Sequence, residues 1–175
     1  MRAERTRLAS IAMRSSTERP LLLVDIDGVI SLFGFPAAPP AGLLATAVDG
    51  IPHLLSDSAG PLLIRLAARF ECVWCTGWED RAEEHLPRLL GLPGGWQHLQ
   101  FAPVEAAAAR HWKLDAIEAR AGRDRPVAWI DDAFDDTCEA WADARPGPTL
   151  LVRTEPASGL TEAHVTSLER WARRL

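Results

Sequence analysis

LLLVDIDGVI, residues 21–30, opens with four uncharged apolar residues, followed by two acids and a glycine within the next four. A short, continuous apolar run predicts a β-strand buried on both faces, as found in parallel sheets covered by helices. The run stops at Asp25, Asp27 follows two residues later, and Gly28 lets the chain turn sharply. Charge therefore stands at the carboxyl edge of the strand, the side on which open α/β folds bind their ligands.

Further along the chain, strand and helix signals alternate. FECVWC (70–75), PVAWID (126–131) and TLLV (149–152) read as strands, and HLQF (98–101) as a weak one. GPLLIRLAARF (60–70), KLDAIEARAG (113–122), FDDTCEAWADA (134–144) and GLTEAHVTSLERWARRL (159–175) read as helices. EDRAEEHLPRLLG (79–91) reads as a helix interrupted near Pro87 and ended by Gly91. The expected fold is α/β, a Rossmann-like three-layer sandwich with a mainly parallel five-stranded sheet, in one domain over residues 19–175. Residues 1–18 lack periodicity and are expected to form a flexible tail. An insertion at about residues 31–57 follows the first strand; its Asp49-Gly50 pair predicts a hairpin turn, and the hairpin is expected as a flap over the strand ends.

Composition limits the function classes. The 175 residues, 47% hydrophobic, suffice for one well-buried core. No uncharged apolar run reaches the roughly eighteen residues of a membrane span, and the opening residues lack a secretory apolar stretch, so a cytoplasmic protein is expected. The net charge is −5, although Arg2, Arg5, Arg7, Arg14 and Arg19 make the first segment basic. An acidic body disfavours broad nucleic-acid binding, and a local phosphate site would need a cation. Cys72 and Cys75 form a Cys-x-x-Cys pair, but three positions along a strand place them on opposite faces, against a disulfide or redox role. No histidine stands at zinc-finger spacing from a cysteine.

The chemistry is concentrated at the strand ends. Of the Asp25/Asp27 pair, one carboxylate can attack phosphorus while the other protonates the leaving oxygen and then activates water; ordinary turn chemistry explains the same tetrapeptide. Thr76 and Gly77 end the second strand in VWCTGW, where a hydroxyl and an amide suit a phosphate oxygen. Lys113 is the sole lysine beside eighteen arginines, which suggests a site where a compact ammonium is needed and a guanidinium fork does not fit. Asp131 and Asp132 end a buried strand in WIDDAFDD, and their mutual repulsion calls for a cation such as Mg2+, which accepts hard carboxylate oxygens. Asp135 and Asp136 fit the start of the following helix, where acids complement its dipole.

In this order, the Asp-x-Asp, Thr, Lys and Asp-Asp signals, spanning residues 21–132, resemble the four sequence motifs of the haloacid dehalogenase (HAD) superfamily. The resemblance implies a HAD-like fold and a phosphatase, with Asp25 as nucleophile and Asp27 as acid/base. It also implies that Thr76 binds the transferring phosphoryl group and that Lys113 steadies Asp25 and the phosphate. Mg2+ would be held by Asp25, the backbone carbonyl of Asp27, Asp131 directly and Asp132 through water or by orienting a neighbour. The short segments between motifs leave no room for a large cap domain, so an open site is expected. The family's lysine commonly lies near a helix start, whereas EAAAARHW (105–112) could extend a helix before Lys113.

The substrate is expected to carry a phosphate. The resemblance extends to phosphatase domains of RNA-repair proteins, so a nucleic-acid end is an alternative to a small ester, as is a non-catalytic phosphate-binding module. A response-regulator receiver uses similar residues but places its acidic pair first and its lysine last. Trp112 is expected in the core, and Trp78 either there or lining the pocket.

Overall fold

Leu21, Leu22, Leu23 and Val24 are all fully buried and form β1 (Leu21–Val24), the central strand of the sheet. The computed structural model describes residues 19–103 and 109–175, so the tail expected over 1–18 lies outside the described residues. β1 pairs in parallel with β4 (Glu71–Trp74) on one side and β6 (Val127–Asp131) on the other. β5 (Gln97–His98) and β7 (Thr149–Arg153) complete a five-stranded parallel sheet in the order β5-β4-β1-β6-β7. The expected HLQF strand is shorter and lies earlier. Two residues pair, and the ladder ends with Leu99 N–H donating to the Trp74 carbonyl at 2.9 Å.

Period-two alternation divides the core between the faces of the sheet. Leu22, Val24, Cys72, Trp74 and Ile130 pack on one face against α1 (Ala59–Ala67), α2 (Asp80–Leu90) and α5 (Glu162–Ala172). Leu21, Leu23, Cys75 and Trp129 pack on the other against α3 (Leu114–Ala121) and α4 (Asp136–Ala144). This is the expected three-layer, Rossmann-like sandwich, and it leaves Cys72 and Cys75 as free thiols in separate clusters. At about 1.5–3 kcal/mol for each fully buried Leu, Val or Ile, this two-sided burial is what determines strand placement.

Pro87 does not interrupt α2, which runs on to Leu90 and is closed by Gly91 at φ +68°. Ala82, Leu86 and Leu90 recur at four-residue spacing and are buried on one face. Burial of that stripe outweighs the carbonyl bond that proline removes. Among the described residues no helix is long and apolar enough to cross a membrane.

After β1 the chain builds one edge through β4 and β5, then returns to the other side of β1 for β6 and β7. The strand order reverses between β1 and β6, which opens a crevice at their carboxyl ends. Beside it stands an antiparallel hairpin of β2 (Leu43–Val48) and β3 (Ile51–Ser56). Its turn residues Asp49 and Gly50 have φ of +51° and +79°, the two positive angles that a two-residue hairpin turn requires. The base of β3 is tied to the segment after β1: Leu32 N–H donates to the Leu54 carbonyl at 2.8 Å and Ser56 N–H to the Ile30 carbonyl at 2.9 Å.

Candidate active site

Asp25 is the first residue beyond β1, and its N–H donates to the Ile130 carbonyl of β6 at 3.1 Å. Its carboxylate is buried, with Oδ1 accepting from the Ile26 N–H at 2.7 Å and Oδ2 lying 2.8 Å from Lys113 Nζ. Asp131, the last residue of β6, takes the same ammonium at 2.6 Å. Asp131 is further fixed by the Trp129 indole N–H at 3.0 Å and the Ala133 N–H at 3.0 Å. Lys113, only 3% exposed, thus bridges the carboxylates on either side of the crevice. It immediately precedes α3; the part of EAAAARHW at residues 109–112 is not helical, and residues 105–108 lie outside the described residues.

Burial dominates the electrostatics. It pushes the Asp25 carboxyl up to about 7, opposed by the Lys113 ammonium and reinforced by the Asp131 charge. Burial alone would depress Lys113, but Asp25 and Asp131 together hold it above the ordinary lysine value. Asp132 is also raised, first by burial and then by Asp131.

Gly28 completes the turn after β1 at φ +73°, and a Cβ there would lie 2.4 Å from Asp132 Cγ. Only glycine allows Asp132 to approach so closely. The Gly28 carbonyl accepts from the buried Thr154 hydroxyl at 2.8 Å, which anchors the turn to the end of β7. Asp25, Asp131 and Asp132 each present an oxygen within 4.8 Å of the others. With all three carboxyls ionised, one ammonium leaves the cluster short of two positive charges, and its hard oxygen donors suit a divalent cation.

Asp27 turns away from that cluster. Its Oδ2 accepts from Trp78 Nε1 at 3.0 Å, and its Oδ1 lies 3.9 Å from His53 Nδ1 on β3. Thr76, beyond the end of β4, is buried, and its hydroxyl oxygen accepts from the Trp78 N–H at 3.4 Å; Gly77 next to it is exposed. Asp135 caps α4, accepting from the Thr137 and Cys138 N–H groups, and Asp136 begins that helix, so both belong to the helix start as expected.

Trp112 is not a core residue. It is 37% exposed, edge-on to Phe101, with Lys113 Nζ 5.1 Å from its ring centre. Lys113 takes the inward position ahead of α3, which leaves the preceding side chain at the surface. Sequence reasoning passed over His53, Trp129 and Thr154. Trp129 had a usable signal, since residues two apart on a strand share a face with Asp131; His53 and Thr154 had none.

A search of curated proteins found no match. The family model described as the HAD domain in Swiss Army Knife RNA repair proteins matches residues 21–165, nearly all of the described fold and every motif residue. Members of this superfamily are generally hydrolases of phosphate esters, and the cluster of Asp25, Asp131 and Asp132 could bind a metal ion. The chain belongs to the HAD superfamily, in the family of HAD domains of Swiss Army Knife RNA repair proteins.

Proposed function

We propose that this chain is a magnesium-dependent phosphomonoester hydrolase that works through an aspartyl-phosphate on Asp25. The supporting observation is the Asp25–Lys113–Asp131 bridge, with Nζ 2.8 and 2.6 Å from the two carboxylates, at the switch point of the sheet. An Asp25 oxygen attacks phosphorus. The bond from phosphorus to the ester oxygen breaks, its electron pair stays on that oxygen, and Asp27 supplies the proton. Water then attacks the aspartyl-phosphate and gives its proton to Asp27. The bond between phosphorus and Asp25 breaks, freeing the carboxylate and inorganic phosphate.

Thr76 and the Gly77 amide bind phosphoryl oxygens in this reading, and Lys113 damps repulsion between Asp25 and the phosphate. Asp25, Asp131, Asp132 and the Asp27 carbonyl would hold Mg2+, which when bound supplies positive charge against the phosphate oxygens. The insertion at about residues 31–57, with its β2–β3 hairpin, acts as the flap over the site in this reading, which the approach of His53 to Asp27 supports. An acid two residues after the nucleophile favours phosphatase over dehalogenase, and the presence of Asp27 and Lys113 favours turnover over a silent binding module.

The description of the family favours a second substrate reading, a phosphorylated RNA end. The net charge of −5 favours a small ester instead. The first test is hydrolysis of para-nitrophenyl phosphate by the wild type and Asp25→Asn, with magnesium or with chelator. We expect wild-type turnover only with magnesium and background rates in the variant; equal turnover in the variant would refute the mechanism.

A further inference from the structure

A cavity of about 480 Å³ lies between the loop at residues 33–35 and the β2–β3 hairpin, a size suited to a small organic ligand. Asp27, Ser31 and His53 form its polar side, and Phe33, Phe35 and Leu54 supply apolar wall. No lysine or arginine lines it among the described residues. Phe33 is 48% exposed, a large ring with an uncovered face. Its backbone is nevertheless held, because Phe33 N–H donates to the Pro156 carbonyl at 3.1 Å and Leu32 N–H to the Leu54 carbonyl at 2.8 Å. Gly34, at φ +71°, turns the chain between the two phenylalanines so that both line the cavity.

We infer that this cavity is the leaving-group subsite and that it takes a neutral aromatic or heterocyclic ring. The inference rests on the phosphatase reading and adds to it the class of ester. Asp27 must hand its proton to the ester oxygen, so the body of the leaving group lies on the open side of Asp27. That carboxylate is 53% exposed and faces the cavity. When the ester bond breaks, its electron pair and the Asp27 proton leave a neutral hydroxyl product there. With an acid at its polar side and no lysine or arginine in its lining, the cavity disfavours a second phosphate or a carboxylate on the leaving group. Two phenylalanine rings favour a flat ring over an aliphatic chain of similar area. Ser31 Oγ and His53 Nδ1, 3.0 Å apart, offer polar contacts to ring substituents.

Benzyl and n-hexyl phosphate test this directly, since both release primary alcohols of similar apolar area and differ in the ring. Benzylphosphonate and hexylphosphonate give a binding readout by calorimetry that does not depend on turnover. The wild type should favour the benzyl compounds by about fivefold or more in kcat/KM and in affinity. Phe33→Ala should bring both benzyl-to-hexyl ratios close to one. Ala45→Trp, which fills the cavity from β2, should do the same, and melting curves will show that both variants fold. Equal treatment of the two esters by the wild type, or ratios unmoved by both variants, would overturn the subsite and leave the phosphatase standing. Neither ester hydrolysed and neither phosphonate bound would overturn the phosphatase reading and the subsite with it.

Discussion

Trp78 Nε1 donates a hydrogen bond to Asp27 Oδ2 at 3.0 Å, while its ring lies against His53 with centroids 4.5 Å apart. The same residue uses its backbone N–H on the Thr76 hydroxyl. Glu79, which follows it, has φ +49° and ψ −121°, a positive-φ conformation uncommon outside glycine. Backbone strain of this kind persists where the surroundings over-determine it, often at functional sites. The loop after β4 therefore orients Asp27 as well as Thr76.

Trp78→Phe keeps the ring and removes the donor. Turnover of alkyl phosphates, whose leaving oxygen needs a proton, should fall roughly tenfold. Aryl phosphates, which need that proton less, should lose less. Steady-state kinetics on matched alkyl and aryl esters decide the matter; equal losses would mean that Trp78 does not act through Asp27.

Lys113→Met leaves Asp25 and Asp131 buried together without their shared counter-charge. The expected loss of stability is about 3–5 kcal/mol, measured by urea denaturation without divalent ions. Magnesium should recover more stability in this variant than in the wild type, because the ion becomes the main counter-charge. Lys113→Arg should not restore activity, since the guanidinium exceeds the space of a 3% exposed ammonium. Unchanged stability in Lys113→Met would show that the bridge contributes nothing to folding.

Glu71, at the start of β4, accepts from Arg125 Nη2 at 2.6 Å and also pairs with Arg120. Burial raises its pKa, but the Arg125 hydrogen bond and the charges of Arg125, Arg120 and Arg19 outweigh it, so the net shift is downward. A carboxyl depressed in the folded state adds stability above its ordinary value of 4.5, and that contribution is lost as pH falls toward the lower folded value. Glu71→Gln should therefore cost up to about 1 kcal/mol at neutral pH and nothing in strong acid. Urea melts of both proteins at the two pH values check this, and a deficit that persists in acid would point to packing instead.

Cys72 and Cys75 lie in the clusters on opposite faces of the sheet. Burial pushes the Cys72 thiol up to about 12 and that of Cys75 well above the ordinary range. Native protein should react slowly at these positions with a thiol reagent, and all three cysteines should be released as free thiols on unfolding. Rapid labelling of Cys72 or Cys75 in the native state would contradict this account.

Much of the fold was legible because its signals are local. Leu21–Val24 could be read as a doubly buried strand from its own side chains, and Asp49-Gly50 as a hairpin turn because Asp and Gly tolerate the positive φ angles that such a turn requires. Pro87 misled because the local cost of proline is visible in sequence, while the benefit of burying Ala82, Leu86 and Leu90 depends on the sheet beneath. Trp112 misled for a similar reason: a large apolar ring suggests the core, but the inward place was taken by Lys113.

The sequence by itself determined which chemical groups stand at the strand ends, because a strand that stops at Asp25, Thr76 or Asp131 delivers its next side chain to the carboxyl edge. Only the tertiary structure decided which of them share a proton donor or a charge. Lys113 reaches both Asp25 and Asp131 because β1 and β6 are neighbours across the switch point. Trp78 meets Asp27 across 51 residues of chain, and His53 arrives beside them on a hairpin whose register is fixed by backbone hydrogen bonds. Such partnerships follow from packing between distant elements, and no local pattern of residues encodes them.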